Sequence, residues 1–252
     1  PSASGKEFDY GWEQMRRLGV DLGGGRIIIK TDWFLKNAGR YDKYSRKGPK
    51  VFAGEYASHV RGLGDKPTVA MNNFEAALSE AAFMTGLERN ADVVHQATYA
   101  PLFAHVEGWQ WRPDLIWFNN LESVRSVNWY VQMLYGTNRG TNVLSLLENG
   151  KPVEGADGLY ASAVYDKDSK NYIIKVANTG DAEKDINVTL NGIKKLGSGQ
   201  LITLHSNDPL ATNTLSEKEN VVPQTTNVEA KGNTISTKIP AKTFAVYRFK
   251  TN

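Results

Sequence analysis

The alternation of strand-like and helix-like segments stops near residue 145, and that break limits what this chain can build. Helical spacing of apolar residues is visible over Phe8–Leu18, Asp32–Tyr44, Phe74–Glu88 and Ser123–Tyr135. Asp32 is placed to cap the second of these helices and Asn73 the third. Between them lie strand-like stretches at Val20–Lys30, Lys50–Ala57 and Val93–Tyr99. Strand and helix in turn predict a parallel sheet with crossover helices. Residues 1–145 hold three such units, whereas a complete eight-stranded barrel takes about 250 residues. A barrel here would therefore be its last part. All six tryptophans, and 20 of the 26 aromatic residues, lie in this first region.

Beyond Gly140 the texture changes to short alternating stretches rich in Thr, Asn, Val and Ile. Predicted strands are Leu159–Tyr165, Tyr172–Asn178, Ile186–Leu190, Gln200–Leu204, Thr234–Ile239 and Phe244–Phe249. Their regular spacing, with polar turns between, predicts an antiparallel β-sandwich over residues 146–252. The fold class is then α/β followed by all-β. No ionisable cluster stands out in the second region. Its single histidine, His205, reads as a surface-loop residue.

Composition removes several function classes. With 30 Lys and Arg against 27 Asp and Glu, interleaved along the chain, there is no basic stripe for nucleic acid. No apolar run approaches the roughly 18 residues of a membrane span. Cysteine is absent, so neither a disulfide framework nor a thiolate metal site is available. No metal-ligand spacing and no nucleotide-binding glycine motif occurs, and no cofactor is expected.

Chemistry is therefore sought in the first region, and Glu55 is its sharpest feature. The segment VFAGEYAS (51–58) starts as an apolar strand and places a carboxylate after a glycine, at the predicted C-terminal edge of a parallel sheet. Barrel enzymes carry their catalytic groups at that edge. A carboxylate there can attack a sugar's anomeric carbon if a second carboxylic acid lies about 5–5.5 Å away to protonate the leaving oxygen. The plainer alternative is a strand-end glutamate facing water. Trp109, Trp111, Trp117 and Phe118 follow the third strand. Trp109 and Trp111 are equally suited to stacking on a sugar and to packing the domain junction, whereas Trp117 reads as core. On the third strand itself, His95 and Tyr99 are expected on one face and Gln96 on the other. His59 is read as an exposed loop residue or a pocket wall.

These motifs carry a resemblance. KGPKVFAGEYAS (47–58), with NAGRYDKY (37–44) before it and NNFEAALSEAAFMTGLERNADVV (72–94) after it, resembles glycoside hydrolase family 51, the retaining α-L-arabinofuranosidases. YAPLFAHVEGWQWRPDLIWFNN (99–120) and YGTNRGTNVL (135–144) continue the likeness, and residues 207–249 resemble that family's C-terminal β-sandwich. The resemblance implies that Glu55 is the catalytic nucleophile on barrel strand seven and that Gln96 contacts the sugar from strand eight. It implies an arabinose-containing glycan as substrate, no cofactor, and the last barrel units as residues 1–145. Homo-oligomerisation stays open, and a periplasmic or secreted setting is favoured over the cytoplasm.

Two departures stand out. The family's general acid/base Glu, on strand four, has no counterpart in this sequence. At the end of strand six, where the family has His and Tyr sugar contacts, this chain reads GGGRIII (23–29). A three-unit segment alone is expected to leave Val20, Val51, Phe52 and Val94 uncovered. The rival class is a non-catalytic carbohydrate-binding or scaffold fragment.

Overall fold

The computed structural model describes residues 6–17, 22–59, 72–109 and 113–251, with the side chains of 7, 8, 16, 22–26, 28 and 29 excepted. Three parallel strands form the first sheet in the order β1 (Leu22–Lys30), β2 (Lys50–His59) and β3 (Val94–Tyr99). Helix α1 (Lys6–Arg17) precedes it, and α2 (Thr31–Lys36) and α3 (Phe74–Arg89) connect its strands. These are the crossover units the alternation predicts.

Helix α3 starts where expected, with the Asn73 side chain accepting from Ala76 N at 2.9 Å. Sequence spacing gives it one apolar face, yet thirteen of its sixteen residues are buried. The helix is central: it packs on β2, on α2, on α4 (Val127–Thr137) and on the second region's main sheet. Gly86 permits the closest approach, since a Cβ there would lie 1.7 Å from Ala38 O. Val51 and Val94, at 5% and 7% exposure, are buried in this helix-facing core rather than left uncovered; Phe52 is half-buried, and Val20 lies outside the described residues.

Several expected boundaries move. Helix α2 begins at Thr31 with Lys30 in the cap position and no side-chain cap bond, so Asp32 is a first-turn residue rather than the N-cap. The helix stops at Lys36, and turns carry the chain on to Tyr44. The expected helix Ser123–Tyr135 starts later. Residues Ser123–Arg125 form β6 and pair with β5 (Ile116–Phe118), and Ser126 caps α4 by accepting from Trp129 N at 3.2 Å. With β4 (Phe103–His105), β5 and β6 make a small sheet over the cluster Ala104, Trp117 and Val124. In the first helix, Trp12 is buried and Met15 packs on the core; the Phe8 side chain and Leu18 lie outside the described residues.

The second region is a six-stranded antiparallel sheet ordered β14-β13-β16-β11-β10-β7, faced by the pair β12-β15. These strands are β7 (Asn142–Leu144), β10 (Leu159–Asp166), β11 (Asn171–Asn178), β12 (Lys184–Thr189), β13 (Leu196–His205), β14 (Gln224–Val228), β15 (Thr234–Ile239) and β16 (Thr243–Thr251). A two-strand hairpin, β8 (Leu147–Glu148) with β9 (Lys151–Pro152), follows β7. The large sheet is buried on both faces. Period-two alternation turns Ala161, Ala163, Ile174, Val176, Ala245 and Tyr247 toward β12-β15. The intervening residues Tyr160, Val164, Ile173, Ala177, Phe244 and Val246 join the core of the first region. Tyr135 of α4 stacks on Phe244 at 5.4 Å and 9°. Strand β14, QTTNV, is polar and mostly exposed at the sheet edge, which is why no apolar alternation marks it.

Candidate active site

Glu55 does not sit at the last residue of its strand; β2 continues four residues further, to His59. What sets it apart is a β-bulge. On the β1 side, Gly25 pairs with Ala53 and Arg26 with Glu55, so Gly54 has no register partner. On the β3 side, Ala53 pairs with Ala97 and Tyr56 with Tyr99, which leaves Thr98 alone opposite both Gly54 and Glu55. An extra residue inverts the alternation of side chains beyond it. Val51 and Ala53 face the helices, and a regular strand would put residue 55 there too. Instead Tyr56 takes the helix-facing position: its ring lies 6.5 Å from Phe83 of α3 and its hydroxyl donates to Gln132 of α4. Glu55 is turned to the opposite face, half-buried. The bulge is held by Thr98, whose Oγ1 donates to Gly54 O at 2.5 Å.

Under this strand lies a buried polar network that sequence inspection missed. Glu80 of α3 has no exposure and accepts from Ser58 N at 2.7 Å. Burial pushes its pKa up to about 8 against the opposing pull of its hydrogen bonds. The carboxyl is thus mostly protonated at neutral pH and ionises as pH rises through about 8. The Ser58 and Ser79 hydroxyls meet at 2.7 Å. Asn72 donates to Tyr99 OH and to Asn128 Oδ1, each at 3.1 Å, while its own Oδ1 accepts from Asp114 N and Trp117 Nε1, each at 3.0 Å. Burial raises the pKa of Tyr56 and of Tyr99, with the Glu80 charge adding to both. One sequence signal pointed here: a lone acid in the small, apolar run AALSEAAF.

The other expected residues fall out as follows. Gln96 is exposed on β3 and registers with Phe52, so it shares the face of Phe52 and Glu55. A register shift at His95 produces this, and it separates His95, which is exposed, from Tyr99, which is buried against Asn72. The two do not share one environment as simple alternation predicts. His59 is the last residue of β2 and is buried, not an exposed loop residue. Trp109 is half-buried and packs on the cluster Ala104, Trp117 and Val124, as does Leu215 of the second region. Trp111 lies outside the described residues. Trp117 is core, at 2% exposure. His205 lies at the end of β13, with Nδ1 3.0 Å from Thr243 Oγ1. Among the described residues no group of His, Asp and Glu could hold a metal ion, and no helix is long and apolar enough to cross a membrane. A cleft of about 540 Å³ lies in the sandwich, lined by Leu146, Val153, Leu159, Ile186 and Val188 among others, and does not involve β1–β3.

Comparison with known proteins adds to this geometry. Residues 54–242 match the family model "Alpha-L-arabinofuranosidase C-terminal domain". The chain is 42% identical over 194 residues to an extracellular exo-α-L-arabinofuranosidase of Streptomyces chartreusis, covering 75% of this chain and 20% of that protein. It is 30% identical over 214 residues to α-L-arabinofuranosidase 1 of Arabidopsis thaliana, covering 82% of this chain and 30% of that protein. Among solved structures, an arabinose-bound family 51 α-L-arabinofuranosidase superimposes with a TM-score of 0.79 at 31% identity, over 91% of this chain and 37% of that one. The arabinose complex of the Thermotoga maritima α-L-arabinofuranosidase shares the fold, with a TM-score of 0.76 at 14% identity over 98% of this chain and 56% of that one. The chain thus spans between about a fifth and a third of the length of the curated relatives it matches.

Proposed function

Since the chain belongs to the α-L-arabinofuranosidase C-terminal domain family, within glycoside hydrolase family 51, we propose that it works as the nucleophile-bearing part of a retaining α-L-arabinofuranosidase. Residues up to about 141 supply the last units of the catalytic barrel, and the rest, from β7 (Asn142–Leu144) onward, the sandwich that supports them. The substrate is a terminal α-L-arabinofuranosyl residue on an arabinose-containing glycan. The setting is secreted or periplasmic, in keeping with a Streptomyces relative named extracellular.

Glu55 attacks the anomeric carbon, the glycosidic C–O bond breaks, and the leaving oxygen takes a proton from a second carboxylic acid. That acid is assigned to a glutamate outside these 252 residues. Its conjugate base then removes a proton from water, which attacks the same carbon and releases Glu55. Carboxylates and water supply every proton and electron pair, so no cofactor enters. Gln96, on the face of Glu55, offers a hydrogen bond to a sugar hydroxyl.

The observation that supports this reading is the bulge at Gly54, which turns the Glu55 carboxylate to the face opposite the helices, at the position the resemblance assigns to the nucleophile. The test is Glu55→Gln in the full natural protein, assayed on an aryl α-L-arabinofuranoside. Turnover should fall by several orders of magnitude, and added azide should restore it by taking the nucleophile's place. A loss below about tenfold, about 1.4 kcal/mol of transition-state stabilisation, would refute the assignment and leave a sugar-binding role.

A further inference from the structure

The bulge that exposes Glu55 has a cost, and one side chain meets it. Gly54 lacks a register partner on β1, and on β3 two residues of β2 share the single neighbour Thr98. Backbone polar groups at such a point lose regular ladder partners. The Thr98 hydroxyl donates to Gly54 O, the carbonyl whose peptide group continues into the Glu55 nitrogen. That peptide plane sets the direction in which the Glu55 side chain leaves the strand. Glycine at 54 has no Cβ to restrict the plane, and the Thr98 bond supplies a local clamp where the register is irregular. Val94 and Tyr99 at the ends of β3 are buried, while residues 95–98 between them are exposed.

We infer that Thr98 is the positioning residue for the nucleophile: through Gly54 it fixes the angle at which the Glu55 carboxylate meets the anomeric carbon. This rests on Glu55 being the nucleophile as proposed above. Thr98 touches no reacting atom. Its effect falls on how often the carboxylate is in line for attack, and a misplacement of about 1 Å costs about 10²-fold in rate. Binding of the sugar, which depends on other groups, is left alone. The role thus predicts a loss in kcat with little change in affinity.

The experiment compares Thr98→Val, which keeps the branched shape and removes the donor, with Thr98→Ser, which keeps the donor and removes the methyl. Both are made in the full natural protein beside Glu55→Gln. Thr98→Val is expected to lower kcat on an aryl α-L-arabinofuranoside by about tenfold or more, with the inhibition constant of arabinose unchanged within about twofold. Thr98→Ser is expected to recover to within about threefold of the parent, although it packs less well. Three results would overturn the inference: Thr98→Val within threefold of the parent, Thr98→Ser as impaired as Thr98→Val, or a loss of activity that follows loss of arabinose affinity. If Glu55→Gln also keeps its activity, the proposed function fails first. If Glu55→Gln collapses while Thr98→Val does not, only the role of Thr98 is lost.

Discussion

Removing the charge of Glu88 tests how the two regions are joined. Lys175 lies on β11, on the face turned to α3, and its side chain has no exposure. Its Nζ donates to Glu88 Oε1 at 2.6 Å and to Asn138 O at 2.7 Å, and sits 5.2 Å from the centre of the Tyr135 ring. Glu88, 13% exposed, accepts at its other oxygen from Ser162 Oγ of β10 at 2.6 Å. Burial pulls the Lys175 ammonium below the usual amine range, while the Glu88 carboxylate pulls it back up. Glu88→Gln keeps the shape but only one acceptor oxygen, which can still face Lys175 while its NH2 turns to Ser162 Oγ as a donor; the buried cation is left without a counter-charge. Breaking a buried pair from one side costs about 3–5 kcal/mol. The lower end applies, because Asn138 O and the ring still face the ammonium. For a domain of this size, 3 kcal/mol lowers the unfolding midpoint by about 6–12 °C. Replacing both residues, Lys175→Met with Glu88→Leu, should recover part of that, less about 1 kcal/mol each for the Ser162 hydroxyl and the Asn138 carbonyl left unpaired. The assay is thermal unfolding of the full natural protein and its single and double variants at low and high salt, the shift being insensitive to salt because the pair is dry. A fall of less than about 2 °C for Glu88→Gln, or a double variant as unstable as the two single losses added together, would refute the idea that this pair locks α3 to the sandwich.

Two further predictions concern pH and the sandwich. Glu80 has a pKa of about 8 in the fold and an ordinary carboxyl value when unfolded, so the folded state holds the extra proton between the two. Its stabilising effect is complete below about pH 4.5 and is lost as pH rises through about 8, at no more than about 1.4 kcal/mol per unit. Denaturation midpoints measured from pH 5 to 9 should fall with pH, and Glu80→Gln should flatten the slope; an unchanged slope in the variant would refute the assignment. His205→Ala should leave arabinofuranosidase activity within about twofold, since its ring contacts are to Lys242 O and Thr243 Oγ1 within the sandwich. A loss near a hundredfold with folding intact would show that this region reaches the chemistry.

Sequence by itself determined the succession of elements and singled out Glu55 as a candidate. Apolar spacing located α3 and its Asn73 cap, and strand β15 at Thr234–Ile239. It did so because helix and strand periodicities are local properties of the chain. The acid after Gly54 stood out as a carboxylate following an apolar strand start. Tertiary structure alone decided what that acid can do. Alternation from Val51 would have buried residue 55 against α3; the pairing of β2 with two neighbours sets the register shift that turns it out. The same holds for Gln96, whose face is set by the irregularity at His95, and for Trp109, which packs where a platform was equally open to it. Glu80 and Lys175 look like surface charges in sequence. They are buried because α3 is enclosed by the first sheet, its neighbouring helices and the sandwich, and burial is a property of the assembled layers rather than of any one segment.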